Sequence, residues 1–277
     1  MLKLNDHITV LINTCDAYAD LWPLISASFK EYWPNRSVEI VLNTEILTGT
    51  NCDEFDVLIH NSTSNLWGER LLQTLEDIRT EYVLMIFDDF ILDDYFDEAV
   101  LLQLIEKMNN DETIAVFYLD TLDLPTSPVC THSSDFSLIA TDADYRLNSA
   151  PGVWRKKDLQ KFTRKNDTPW AWEAFGSYIT QQYSNKFFQS INTQFYSFDG
   201  RQGGAIYRGK WVADVVLDKA KKYQLEIDFS KRGFADTSTL EKRSFYWKIK
   251  FLYTGFRMIG FGVLKFIISA VNKKYIK

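Results

Sequence analysis

The chain has 277 residues, 46% hydrophobic and 25% charged, a composition that supports a buried core and excludes a disordered chain. It holds 37 acidic against 31 basic residues, net −6. The stretch from Lys242 onward carries nine basic residues and no acid, leaving the first 241 residues at net −15, which excludes a nucleic-acid-binding body.

Taken in chain order, apolar runs alternate with helical periodicity. Ile8 to Asn13 reads as a strand buried on both faces, and Tyr18 to Tyr32 as a helix with Leu21, Leu24, Ile25 and Phe29 on one side. Val38 to Leu42 and Phe55 to Ile59 are the next strands. Leu66 to Ile78 is an amphipathic helix carrying Leu71, Leu72, Leu75 and Ile78. Tyr82 to Phe87 is the most apolar strand, and Asp88-Asp89 follow it directly. Glu98 to Met108 reads as a helix and Thr113 to Leu119 as a strand. This alternation predicts an α/β fold, a Rossmann-like, mostly parallel sheet with helices on both faces. Ligands of such sheets bind beyond the carboxyl ends of the strands. Thr14-Cys15-Asp16, Asn43-Thr44-Glu45 and Asp88-Asp89 all fall there.

Past residue 121 the pattern loosens. Leu122 to Asp135, with Pro125 and Pro128, reads as a loop, and Phe136 to Val153 as short strands. A basic helix starts near Arg155, an aromatic–acidic cluster spans Pro169 to Glu173, and a Gly/Arg segment runs from Asp199 to Lys210. Asp93 and Asp94 are expected to open the helix that follows them, where acids suit the helix dipole. Aromatic residues make up 15% of the chain, enough for either a large core or rings that stack on sugars. Three dispersed cysteines (Cys15, Cys52, Cys130) form no CxxC pair and read as reduced thiols of a cytoplasmic protein. Lys3, Asn5 and Asp6 precede any apolar run, so no signal peptide is expected. His7, His60 and His132 lie too far apart for a helical ligand motif.

Thr14-Cys15-Asp16 after the first strand, Glu45 after the second, the WGERLLQTL helix and the FDDF strand end resemble a GT-A glycosyltransferase. More narrowly, their order resembles the nucleotide-sugar transferases of bacterial capsule and O-antigen synthesis, over roughly residues 5–215. The resemblance implies a nucleotide-sugar donor, UDP-linked, and hexosyl or N-acetylhexosaminyl transfer to a growing, lipid-linked surface glycan, with inversion. It implies a nucleotide-sugar-binding half at 1–120 and an acceptor-binding half at 121–240. Asp89, backed by Asp88, is the expected anchor for Mn²⁺ or Mg²⁺ at the diphosphate. The chain departs from the usual Asp-x-Asp because Phe90 follows Asp89. Cation duty therefore stays divided between a metal on Asp89 and the basic loop of Arg201, Arg208 and Lys210, whose glycines admit phosphate.

Thr14, Asp16, Glu45 and Arg70 are candidates for base, ribose or phosphate, against turn chemistry and a surface arginine as the plainer readings. Glu173 is the expected general base, set among aromatic residues that would raise its pKa; acid placement at a helix start is its alternative. Trp154, Trp170 and Trp172 are candidate acceptor-stacking surfaces and Trp67 a further one, with core packing the alternative. Two other functions compete. One is a non-catalytic, membrane-associated glycan-binding scaffold on the same fold. The other is a sugar nucleotidyltransferase, which calls for a glycine-rich loop after the first strand that LINTCDAYAD lacks.

Residues 241–277 read as a separate module. Phe251 to Val271 is long enough to span a bilayer. Arg257 and Lys265 interrupt it, at a cost of at least ~2.5–3.5 kcal/mol for a charge near the centre of a spanning helix. An in-plane amphipathic helix, basic on one side, fits better. It would attach residues 242–277 to an anionic membrane surface, placing the protein peripherally on the inner face of the cell membrane. An aromatic helix packed on the body is the alternative.

Overall fold

The computed structural model describes residues 3–45, 57–61, 64–133, 135–192, 204–236 and 244–276. Nine strands form one sheet: β1 (Ile8–Asn13), β2 (Ile40–Thr44), β3 (Val57–Asn61), β4 (Tyr82–Phe87), β5 (Ile114–Tyr118), β6 (Thr126–Ser133), β7 (Phe136–Ile139), β8 (Gly152–Arg155) and β9 (Lys186–Ser190). Their order is β3-β2-β1-β4-β8-β5-β9-β7-β6. Only β7 and β8 run against their neighbours, so the sheet is mostly parallel.

The alternation of side chains along a strand explains the layering. Ile8, Val10 and Ile12 of β1, with Leu84 and Ile86 of β4, face one core, where α1 (Trp22–Tyr32), α3 (Glu98–Asn110) and α7 (Ala213–Lys222) pack. Leu11, Val83 and Met85 face the other core, under α2 (Trp67–Asp77) and α4 (Lys156–Phe162). Both faces are covered, which is why these strands are apolar without interruption.

Three expectations change. Residues 126–133 form β6, not a loop; it is the edge strand of the sheet, where Pro128 need donate no ladder hydrogen bond. Strand β8 inserts antiparallel between β4 and β5 and so joins residues 1–120 and 121–240, the two halves of the expected single domain, in one continuous sheet. Asp93 and Asp94 do not open α3: Asp97 is its N-cap, accepting from the Ala99 amide, while Asp93 pairs with Lys219 at 2.6 Å.

The third change concerns the tail, which is two helices, α8 (Phe245–Ile259) and α9 (Val263–Ile276), joined by a tight turn at Gly260–Gly262 where Gly260 has φ 56°. It is docked on the body and is not a free module. Phe175 packs against Phe251 and Phe266 with ring centroids 4.7 and 5.0 Å away. Gly255 makes this possible, for a Cβ there would lie 2.5 Å from the Phe175 ring. The opposite side stays bare: Ile249, Tyr253 and Phe256 on α8, Phe261 in the turn, and Leu264 and Ile268 on α9 are exposed. Docked helix and bare apolar stripe therefore coexist in one element.

Candidate active site

The parallel ladder delivers polar residues to one edge. Asn13 and Asn43 lie side by side in register at the ends of β1 and β2, both fully buried, with the Asn43 amide donating to Asn13 Oδ1 at 2.9 Å. One residue further, Thr14 donates its hydroxyl to Asp88 Oδ2, and Trp22 Nε1 donates to Thr14 Oγ1 at 2.9 Å. Asp88 thus turns inward, 7% exposed. Beside it, Thr44 donates to Asp16 Oδ1 at 2.7 Å, and the Asp16 amide donates to Glu45 Oε2 at 2.7 Å. Arg70 is buried, not a surface arginine. Its guanidinium pairs with Glu45 Oε1 at 2.9 Å and reaches the Thr14 carbonyl at 3.4 Å. Thr14, Asp16, Glu45, Arg70 and Asp88 converge in one polar cluster, and Glu45 keeps an open edge.

Asp88 and Asp89 are two adjacent carboxylates short of solvent. Burial, and then the neighbouring Asp89, push Asp88 well above the usual carboxylate range. Burial raises Asp89 to about 7, and the Glu173 carboxylate adds to the shift. Such a pair fits a cation: hard divalent ions take carboxylate oxygens and complete their shell with phosphate and water. Among the described residues no group of three or more His, Cys, Asp or Glu surrounds a common point. Asp89, with Asp88 behind it, would therefore be the protein's share of the ligands.

Glu173 reaches this edge because β8 runs antiparallel beside β4. The turn entering β8 brings Ser149, whose amide and hydroxyl donate to Glu173 Oε1 at 2.7 and 2.5 Å. Thr168 caps the short helix α5 (Pro169–Ala171), and Glu173 sits in the π-helical turn Trp172–Gly176, which leads into α6 (Ser177–Thr180). Such turns often mark functional sites. Glu173 Oε2 makes no hydrogen bond among the described residues, and burial raises the carboxyl above its ordinary value against the two Ser149 bonds. A partly buried carboxylate with one oxygen anchored and one open suits a proton acceptor.

The glycine loop meets the acids through its backbone. Ala205 N donates to the Asp89 carbonyl at 2.8 Å. Gly204 adopts φ 114°, and a Cβ there would lie 2.7 Å from that oxygen. A hairpin follows, β10 (Ile206–Tyr207) and β11 (Lys210–Trp211), turning through Arg208 and Gly209 at positive φ. Arg201 lies outside the described residues.

The aromatic assignments divide. Trp154 and Trp172 are fully buried and lie 5.9 Å apart in the core, so neither can touch an acceptor; Trp67 is buried with them. They fill the space between sheet and helices, a role that sequence spacing does not separate from ligand stacking. Trp170 alone is exposed, at 59%. Sequence reasoning missed Arg232. It forks onto Asp20 at 2.6 and 2.7 Å, stacks over Tyr18 at 4.3 Å, and its charge draws Asp88 back down. A Lys231-Arg232 pair far from any other candidate gives no pattern to find it by. Ser149, in Asn148-Ser149-Ala150-Pro151-Gly152, carried at most a turn signal.

No protein-family model and no curated protein matches the chain. Among solved structures it is similar to S. aureus TarS, at 10% identity over 93% of this chain with a TM-score of 0.47. It spans 50% of that TarS chain. It is also similar to TarS 1–349 in complex with UDP, at 10% identity, over 93% of this chain and 82% of that chain, TM-score 0.49. A third is galactosyltransferase LgtC in complex with donor and acceptor sugar analogs: 11% identity, 55% of this chain and 59% of that chain, TM-score 0.36.

Proposed function

We propose that the protein is an inverting glycosyltransferase that moves a hexosyl or N-acetylhexosaminyl group from a UDP-sugar to a growing, lipid-linked surface glycan. The observation that carries this reading is the convergence at one sheet edge of Thr14, Asp16, Glu45 and Arg70 with Asp88-Asp89 and, across β8, Glu173. The Thr14–Arg70 cluster binds the nucleoside. Glu173 Oε2 takes the proton of the acceptor hydroxyl as its oxygen bonds to the anomeric carbon and the bond to the diphosphate breaks. Asp89 faces the departing diphosphate. A divalent cation held there would offset the leaving-group charge. Arg232, whose charge already acts on Asp88, would share that work, with Arg208 and Lys210 added from a hairpin whose Gly209 approaches the Tyr18 hydroxyl.

The nucleotidyltransferase alternative loses further support, for β1 runs into a 3₁₀ helix, Asp16–Leu21, and not into a glycine-rich phosphate loop. The tail supports attachment to the cytoplasmic face of a membrane. The stretch Phe245–Val271 has mean hydropathy 1.5 over its most apolar window with 11% of that window buried, and the charges flanking it are all basic. The exposed stripe would lie on the bilayer while the docked face holds the Glu173 turn above it.

The test is a nucleotide-sugar screen for thermal stabilisation, followed by turnover with the donor that binds. Glu173→Gln is expected to abolish transfer with donor affinity unchanged. Equal loss of donor binding and transfer would make Glu173 structural, and the absence of any stabilising donor would overturn the transferase.

A further inference from the structure

Where α8 crosses the segment after α4, a cavity of about 510 Å³ opens, lined by Arg164, Lys165, Asp167, Lys250, Tyr253 and Arg257 among others. Four of its side chains are cationic. Arg164 is committed, donating to the Met258 carbonyl at 2.8 Å and so tying down the end of α8. Lys165 pairs with Glu69. Asp167, the only acid in the lining, is 2% exposed and accepts from the Arg164 amide. Lys250 and Arg257 differ: two helical turns apart on α8, they are exposed and form no ion pair among the described residues. Two uncommitted cations beside a cavity call for an anion.

The position narrows the anion's chemistry. Tyr253 lines the cavity and also belongs to the exposed apolar stripe with Ile249 and Phe256. A ligand filling the cavity would therefore lay any attached hydrocarbon along that stripe. Aromatic residues beside basic ones are the usual furniture of a membrane interface. Thr168, also in the lining, caps the segment that leads to Glu173, which follows on the order of 8 Å further along the helix axis.

We propose that this cavity is a head-group site for the phosphate of a lipid embedded in the membrane surface, with Lys250 and Arg257 as its ligands. The proposal rests on the membrane attachment inferred above, and its test separates the two. Full-length protein is floated with three vesicles: phosphatidylcholine alone, and phosphatidylcholine mixed with phosphatidic acid or with phosphatidylserine at matched surface charge. Wild type is expected to prefer phosphatidic acid over phosphatidylserine about tenfold, the worth of one charge-assisted hydrogen bond. Lys250→Gln with Arg257→Gln is expected to erase the preference. Lys248→Gln with Lys265→Gln removes the same charge outside the cavity and is expected to keep it. Binding to both anionic vesicles without preference, or a preference surviving in the Lys250/Arg257 variant, overturns the site while leaving membrane attachment standing. Failure to float with any vesicle overturns both. Displacement from phosphatidic acid vesicles by inorganic phosphate at equal phosphate concentration would mark a site for free phosphate and overturn the lipid assignment. Unchanged thermal midpoints of the two double variants establish that each is folded.

Discussion

Asp89 is held short of solvent at a cost to folding that its proposed role would explain. Its folded-state pKa is raised to about 7, chiefly by burial, while an unfolded chain titrates near the ordinary carboxylate value. The folded state therefore binds the extra proton, so the stabilising contribution is full at acid pH and lost as pH rises through about 7. Without divalent cation, the melting temperature is expected to fall across that interval. Asp89→Asn should flatten the profile and stabilise the protein at mildly alkaline pH by about 1–3 kcal/mol, while lowering turnover at least ~100-fold. A profile unchanged by the substitution would show that Asp89 is solvated and has no partner to wait for. The buried tryptophans predict the opposite signature. Trp154→Ala should cost about 3–5 kcal/mol in a denaturant melt without a selective rise in acceptor KM, since the indole lies wholly inside the core.

Among the elements, the glycine loop shows how backbone contact can position a side chain. Gly204 has a φ that L residues rarely adopt, and no room for a Cβ against the Asp89 carbonyl. Gly204→Ala is expected to destabilise by about 1–3 kcal/mol. By moving the strand end that presents Asp89, it should also lower kcat about 100-fold, as a misplacement near 1 Å does. Turnover equal to wild type would detach the loop from the chemistry. The π-helical turn works similarly: Ala174 and Phe175 face the tail while Glu173 faces Ser149, so one turn couples the tail to the proposed base.

For the molecule as a whole, that coupling changes what truncation should do. A tail that stood apart from the body would leave a soluble, hydrolysing body when the chain is ended near Glu241. With Phe175 under Phe251 and Phe266, the same cut bares an apolar patch beside the site. Gly255→Leu is the cleaner probe, because the added side chain enters the Phe175 ring. Overpacking of about 1–3 kcal/mol should loosen the tail, seen as faster proteolysis near residue 244. Transfer should decline while donor binding holds. An intact, protected tail in that variant would contradict the docked arrangement.

Local pattern was enough to read β1, α2, β4 and α3 from the amino-acid sequence, because uninterrupted apolar runs and 3.6-residue periodicity are properties of short windows. It also placed Asp88-Asp89, Thr14, Asp16 and Glu45 at strand ends, since a parallel sheet gathers those ends at one edge. What lay beyond it was every choice made by distant neighbours. Whether Trp154 and Trp172 meet sugar or core depends on what packs over them, and their spacing is the same either way. Arg70 was legible as an arginine on a helix face, but its pairing with Glu45 needed β2 and α2 to come together. Strand β6 was hidden because prolines signal a loop unless the strand lies at an edge, and edge position belongs to the assembled sheet. Arg232 lies 144 residues from Asp88, and no local window contains both. Only folding brings its charge to the buried acids, where low dielectric gives it weight.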